Sequence, residues 1–193
     1  HHSGEMTGGY VLEGLVREAL RQPRLLRAAR FHVAPAMDVD GVAEGLYGKD
    51  RSPQDFNRDY MSRPTRPEVA ALRQAAEAAG RVDLFLDLHG PAPGDCSFLV
   101  PTNEAQASAE HWEAVVRLGQ WLEALAPARC PVRVADIQRG ALNWTAENTL
   151  QTSTSYFHGR FGALATTLEV SYHRTWAGQL LRDRDWLALG RAL

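Results

Sequence analysis

The stretch Val82-Asp83-Leu84-Phe85-Leu86-Asp87-Leu88-His89-Gly90 decides the fold class. Its apolar character is nearly continuous. That is the pattern of a strand covered on both faces, central in a mostly parallel sheet. Ahead of it, Glu68–Ala79 has helical spacing and Gly80 as a C-terminal stop. Further along, Ala163–Val170 is a second clear strand, with Glu169 at its end. Working outward, helices are expected at Thr7–Gln22, Ala105–Leu125, Asn148–Phe161 and Asp183–Leu193. In the first, Val11, Leu12, Leu15, Val16 and Leu20 fall at helical spacing, and Pro23 ends it. In the second, Trp112, Val115, Val116, Leu118, Trp121 and Leu122 point to the core. Shorter strands are expected at Arg30–Pro35, Cys96–Val100 and Val132–Val134. The long irregular stretch 36–67 carries Tyr47, Phe56, Tyr60 and Met61, which favours an ordered, functional loop. Strands alternating with helices give an α/β class: three α/β/α layers around a twisted, mostly parallel mixed sheet. Residues 1–193 read as one domain. In such sheets ligands bind at the carboxyl ends of the strands, so polar residues there matter most.

Composition narrows the function. The 193 residues carry a net charge of −2, with 23% charged and 45% hydrophobic residues. This balance argues against a nucleic-acid binder or a polybasic membrane-surface protein. No apolar run approaches the length of a spanning helix. Cys96 and Cys130 form no CxxC pair, so neither a thiolate zinc site nor a disulfide framework is expected. Any metal must be held by histidine and carboxylate. The chain lacks an initiator Met and reads as a fragment, which leaves its location unassigned, with the cytoplasm only weakly favoured.

Two polar residues close the clear strands, His89 and Glu169. A carboxylate inside an apolar run is costly unless it is paired or near a metal. The opening His2-Ser3-Gly4-Glu5 places an imidazole and a carboxylate three apart, just before a helix, where a turn can aim both at one ion. His2, Glu5 and His89 would then be the three protein ligands of a catalytic zinc. Glu169 would be left as the general base for zinc-bound water. In the loop, Asn57 and Arg58 stand side by side, and an Arg fork binds a carboxylate with two bonds. Metal-activated water next to a carboxylate clamp suits hydrolysis of the bond beside a free C-terminus.

Taken in order, HSGE (2–5), DVDG (38–41), DFNRDY (55–60), DLHG (87–90) and TLEVSY (167–172) resemble the zinc metallocarboxypeptidase family, with its carboxypeptidase A-like fold. The nearest likeness is to bacterial relatives of the cytosolic carboxypeptidases. The resemblance implies one zinc on His2, Glu5 and His89, Glu169 as the catalytic glutamate, and Asn57 with Arg58 on the terminal carboxylate of a peptide or protein. It also implies a larger sheet whose first strands precede HSGE and are missing from this chain. The same zinc architecture resembles the aspartoacylase and succinylglutamate desuccinylase deacylases of N-acyl amino acids. A third reading is a non-catalytic peptide-binding domain of this fold.

The match departs at two places. The family's further Arg, which polarises the scissile carbonyl, has Gly48 near its expected position. Lys49 or Arg51 could take that role, and the planar fork favours Arg51. For the family's mobile Tyr, Tyr156 is the candidate substrate-binding residue, although its helical setting fits poorly. Arg160, Thr152 and Thr154 are candidate pocket residues. Asp87 and Asp55 could brace His89 and Arg58 respectively. His1, His32, His111, His158 and His173 read as surface or core histidines, and Trp112, Trp121 and Trp186 as core. Side-chain preference and oligomeric state are not readable from the sequence.

Overall fold

A computed structural model describes residues 1–92, 94–102, 108–137, 151–175 and 177–193. The elements, in chain order, are α1 (Thr7–Arg21), α2 (Pro23–Ala28), α3 (Val39–Glu44), a 3-10 turn (Phe56–Arg58), α4 (Pro67–Ala79) and β1 (Leu84–His89). Then follow β2 (Phe98–Pro101), α5 (Ala109–Leu125), a second 3-10 turn (Val134–Asp136), α6 (Ser153–Phe161), β3 (Leu164–Glu169) and α7 (Asp183–Ala192). Residues 105–107 and 148–150, expected to be helical, lie outside the described residues.

The described strands form a three-stranded sheet in the order β1-β3-β2. β1 runs parallel to β3, and β2 runs antiparallel to it, so the sheet is mixed. Side chains alternate across it, as strand geometry requires. Leu86, Leu88, Leu168 and Val170 face a core with Val11, Leu99, Val115, Leu122 and Leu189, which belong to or adjoin α1, α5, β2 and α7. On the opposite face Phe85 and Ala165 pack with Met37, Phe56, Tyr60, Val69, Ala76 and Phe157, from the loop, α4 and α6. The result is a three-layer α/β/α arrangement. In the β1–β3 register His89 stands beside Glu169, both at carboxyl ends.

Glycines set how closely α1 docks. A Cβ on Gly8 would lie 2.9 Å from the Leu88 carbonyl oxygen, so only glycine lets α1 settle on β1. In the middle of α1, a Cβ on Gly14 would sit 2.2 Å from the Leu187 carbonyl oxygen, and one on Gly190 would sit 2.0 Å from that of Val11. The α1–α7 crossing is thus a backbone-to-backbone contact. Thr7 adds a hydroxyl bond to the Val170 carbonyl, 2.8 Å, tying the start of α1 to the end of β3.

Several sequence expectations need correction. β3, not β1, is the central described strand, and β1 lies at an edge of the described sheet with Leu84 52% exposed. Arg30–Pro35 forms no strand: no described strand lies beside it to take its backbone hydrogen bonds, and Phe31 and Val33 are exposed. Val132 is fully buried, yet the chain turns into a 3-10 helix two residues later instead of forming a strand. Pro131 lacks the N–H that a ladder needs. Pro23 ends α1 but also starts α2, where a first-turn proline costs nothing. Trp121 is 67% exposed, because the buried stripe of α5 runs through His111, Val115, Gly119 and Leu122. A residue adjacent to Leu122 is turned about 100° away from that stripe.

Candidate metal and catalytic site

His2 and Glu5 meet through a tight turn, in which the Glu5 N–H donates to the His2 carbonyl at 3.1 Å. The loop at Tyr47–Gly48 clamps this turn. Gly4 N–H donates to the Tyr47 carbonyl at 3.0 Å. Gly48 has φ +99°, and a Cβ on it would lie 2.6 Å from the Ser3 nitrogen. The docking of α1 on β1 then brings the Glu5 carboxylate to His89. Glu5 Oε2 lies 2.6 Å from His89 Nδ1 and accepts the Gly90 N–H at 3.2 Å. His2, Glu5 and His89 are all buried, and each offers a ligand atom within 4.8 Å of the others.

Protonation follows from the neighbours. Asp55 Oδ1 lies 3.0 Å from His2 Nε2, so it takes the imidazole proton there. This leaves the His2 Nδ1 lone pair buried, without a hydrogen-bond partner and 3.0 Å from Glu5 Oε1. Two buried acceptors in contact, without a proton between them, are a strong electrostatic demand for a cation. Lys49 Nζ meets part of it, 2.8 Å from Glu5 Oε1. Burial works against the Glu5 anion, yet the His2 and His89 imidazoles beside it hold its pKa well below the carboxylate range. Burial also works against the His89 cation, but Asp87 and Glu5 outweigh it and raise the pKa to about 10. A nitrogen–carboxylate–nitrogen set with one unpartnered imidazole nitrogen, backed by a carboxylate on that imidazole, fits zinc.

A second group, His1, Asp87 and His89, also brings three potential ligand atoms together. Its carboxylate is already used. Asp87 Oδ2 accepts the Ser153 hydroxyl at 2.5 Å, and Oδ1 takes His1 Nδ1 at 2.8 Å. Asp87 Oδ2 also lies 3.0 Å from His89 Nε2. Despite burial, which opposes ionisation, the charge and hydrogen bond of His89, with the Ser153 hydroxyl, bring the Asp87 pKa down to about 2. This group is better placed to orient His89 than to hold an ion of its own.

Glu169 stands next to His89 across the parallel pair, and its Oε2 is buried without a hydrogen-bond partner. Burial raises its pKa, against the pull of His89 and with Glu5 adding to it. That is the direction a proton acceptor near neutral pH requires. Asn57 lies inside the cluster: its Oδ1 accepts the Ser153 N–H at 2.9 Å, and its Nδ2 is 3.1 Å from His89 Nε2. Arg58 follows it, with one guanidinium nitrogen donating to the Asn57 carbonyl at 2.8 Å.

Two sequence candidates are committed elsewhere. The Arg51 guanidinium pairs with buried Asp38 at 3.2 Å and with Glu44 at 3.8 Å, so it braces α3. The nearby cation that does reach the cluster is Lys49. The Tyr156 hydroxyl donates to Glu77 at 3.0 Å on the exposed side of α4, where Arg160 also clasps Glu77. Asp55 braces His2 directly, whereas the sequence suggested Arg58 as its partner.

Four residues were not marked by the sequence. His1 and Tyr60 join Asp87, Ser153 bonds both Asp87 and Asn57, and Tyr172 lies against Gly90. A Cβ on Gly90 would be 2.6 Å from the Tyr172 hydroxyl oxygen. Burial, then Glu5 and Tyr47, push the Tyr172 phenol up to about 12, so it stays a neutral donor. The bare Gly90 after His89 was the available clue, since glycine at a strand end often marks close approach.

No protein-family model matches the chain. One curated relative, an uncharacterized protein of Zymomonas mobilis, is 33% identical over 97 residues, which cover 46% of this chain and 25% of that protein. Among solved structures, the metallo-carboxypeptidase of Burkholderia cenocepacia superposes with a TM-score of 0.77 at 23% identity, covering 99% of this chain and 53% of that one. The metallo-carboxypeptidase of Pseudomonas aeruginosa, in complex with (2-guanidinoethylmercapto)succinic acid, gives 0.76 at 23% identity, with 99% and 52% covered. Succinylglutamate desuccinylase from Vibrio cholerae gives 0.55 at 17% identity, with 99% and 52% covered. The chain therefore has the metallo-carboxypeptidase fold, and it spans about half the length of these structures.

Proposed function

We propose that residues 1–193 form the catalytic domain of a zinc-dependent carboxypeptidase, which hydrolyses the last peptide bond of a peptide or protein. One observation carries the reading. The buried lone pairs of His2 Nδ1 and Glu5 Oε1 face each other at 3.0 Å beside His89, a set that a divalent cation would satisfy. The higher TM-scores of the carboxypeptidases favour this substrate class over N-acyl amino acids.

In this reading His2, Glu5 and His89 hold one zinc, which supplies Lewis-acid activation of water and of the scissile carbonyl. Asp55 keeps the His2 proton on Nε2, so that Nδ1 is free to bind. Asp87 does the same for His89. Glu169, with its raised pKa and unpartnered oxygen, removes a proton from the attacking water and returns it to the leaving amine. Arg58, held beside Asn57, grips the terminal carboxylate and fixes the last peptide bond against the reacting groups. Lys49, already at Glu5, is the cation placed to stabilise charge developing on the carbonyl oxygen.

The test is a substrate panel on zinc-loaded protein: peptides with free C-termini, the same peptides amidated, and acetyl-aspartate. Cleavage confined to free C-termini is expected. Glu169→Gln should lower the rate by about 10²–10⁴-fold. Equal cleavage of amidated peptides, or full activity in Glu169→Gln, would overturn the proposal. Turnover of acetyl-aspartate alone would replace it with the deacylase reading.

A further inference from the structure

His1 sits outside the ligand set but is not a surface residue, since its side chain is only 3% exposed. Its ring lies parallel to that of His89, at 8° and 5.6 Å between centroids. Both nitrogens are engaged. Nε2 is 2.6 Å from the Tyr60 hydroxyl, and Nδ1 is 2.8 Å from Asp87 Oδ1. Tyr60 is itself buried. No other hydrogen bond to its hydroxyl is made among the described residues, so the phenol proton has one place to go, His1 Nε2. That choice sets the tautomer. His1 Nε2 accepts, and His1 Nδ1–H donates to Asp87. The other Asp87 oxygen meets the Ser153 hydroxyl, 2.5 Å, and His89 Nε2, 3.0 Å.

We propose that His1 is a positioning residue: the relay Tyr60–His1–Asp87 fixes the carboxylate that orients His89, and His1 also covers one face of the His89 ring. The inference rests on the zinc-site reading above and adds to it a third layer behind the ligands. The relay explains why Asp87 keeps one orientation in a buried place where a carboxylate with fewer donors would be unstable. It also accounts for the burial of Tyr60, whose ring packs in the α4–α6 core while its hydroxyl reaches the site. The metal's surroundings are thereby tied to that core.

The test uses readouts that do not need activity. Zinc affinity is measured by competition with a chromophoric chelator on wild type, His1→Phe, His1→Gln and Tyr60→Phe, with thermal unfolding as a check on folding. Ring ¹⁵N shifts report the His1 tautomer. His1→Phe should weaken zinc binding by about 10-fold or more, the usual scale for outer partners of a metal ligand. His1→Gln, which can still donate to Asp87 and accept from Tyr60, should recover most of that loss. Wild type should show the Nδ1–H tautomer, and Tyr60→Phe should lose the preference. Unchanged zinc affinity in folded His1→Phe, or an Nε2–H tautomer in wild type, would overturn the relay. Two zinc ions per wild-type chain, falling to one in His1→Phe, would also overturn it, by showing that His1, Asp87 and His89 are ligands of a second ion. A protein that binds one zinc, weakens as described and cleaves no peptide would sink the hydrolase reading alone. A wild type that takes up no zinc would remove the metal site, and the His1 tautomer in that same sample would still decide the relay.

Discussion

Replacing Asp55 by Asn isolates the electrostatic part of the ligand geometry. Asp55 Oδ1 accepts from His2 Nε2 at 3.0 Å and from the Asn57 N–H at 2.7 Å, where it caps the Phe56–Arg58 turn. An amide oxygen in the same place can accept both bonds, so the turn survives and only the charge is lost. A hydrogen bond with a charged partner contributes about 1.5–3 kcal/mol, against about 0.5–1.5 kcal/mol for a neutral one. The difference is about 1–1.5 kcal/mol, on the order of tenfold in zinc affinity. Asp55→Ala removes the acceptor as well, and His2 is then free to carry its proton on Nδ1, where it blocks the metal. For that variant the loss should approach 100-fold. The assay is chelator competition at neutral pH and fixed ionic strength, with melting of the metal-free proteins as a control for folding. Equal zinc affinity in wild type, Asp55→Asn and Asp55→Ala would refute the tautomer reasoning.

Other outcomes follow from the packing and the titratable groups. Gly190→Ala places a Cβ 2.0 Å from the Val11 carbonyl oxygen, so α1 and α7 must separate, at a cost of about 3 kcal/mol. Its melting temperature should fall by roughly 6–12 °C, and a wild-type melt would contradict the close crossing. His111 is buried with an unpartnered Nε2, and burial, then the charge of His158, lower its pKa to about 4. The unfolded chain binds this proton first as the pH falls. The group's stabilisation is therefore complete above about pH 6.5 and is lost on the way down to about pH 4, by about 3 kcal/mol. His111→Leu should flatten that limb of the urea-midpoint profile, and an unchanged slope would exclude His111 as its source. Tyr156→Phe should leave peptide hydrolysis at the wild-type rate, because the hydroxyl is spent on Glu77. A large loss of kcat would return Tyr156 to the site.

The layers and the gathering of His2, Glu5 and His89 were legible because each rests on local pattern. A continuous apolar run ending in His89, an apolar run ending in Glu169, and helices between them place both residues at strand ends. The close pairing of His2, Glu5 and His89 could be anticipated from the short HSGE spacing and the site rule for α/β sheets. What stayed hidden depends on long-range partners. Arg51 and Lys49 are two residues apart in a loop, and no periodicity says which one turns to buried Asp38 and which to Glu5. His1 read as one more surface or core histidine, because Tyr60 and Asp87 reach it from 59 and 86 residues away. The Arg30–Pro35 stretch had strand composition, but a strand exists only where another strand pairs with it.

The most direct test of the account is the zinc content per chain of wild type and His89→Ala, measured after metal loading and removal of excess at neutral pH. The expected result is about one zinc in wild type and a sharp drop in the variant, with both proteins folded. A wild type that retains no zinc, or a variant that retains as much as wild type, would contradict the central claim that His2, Glu5 and His89 form one metal site.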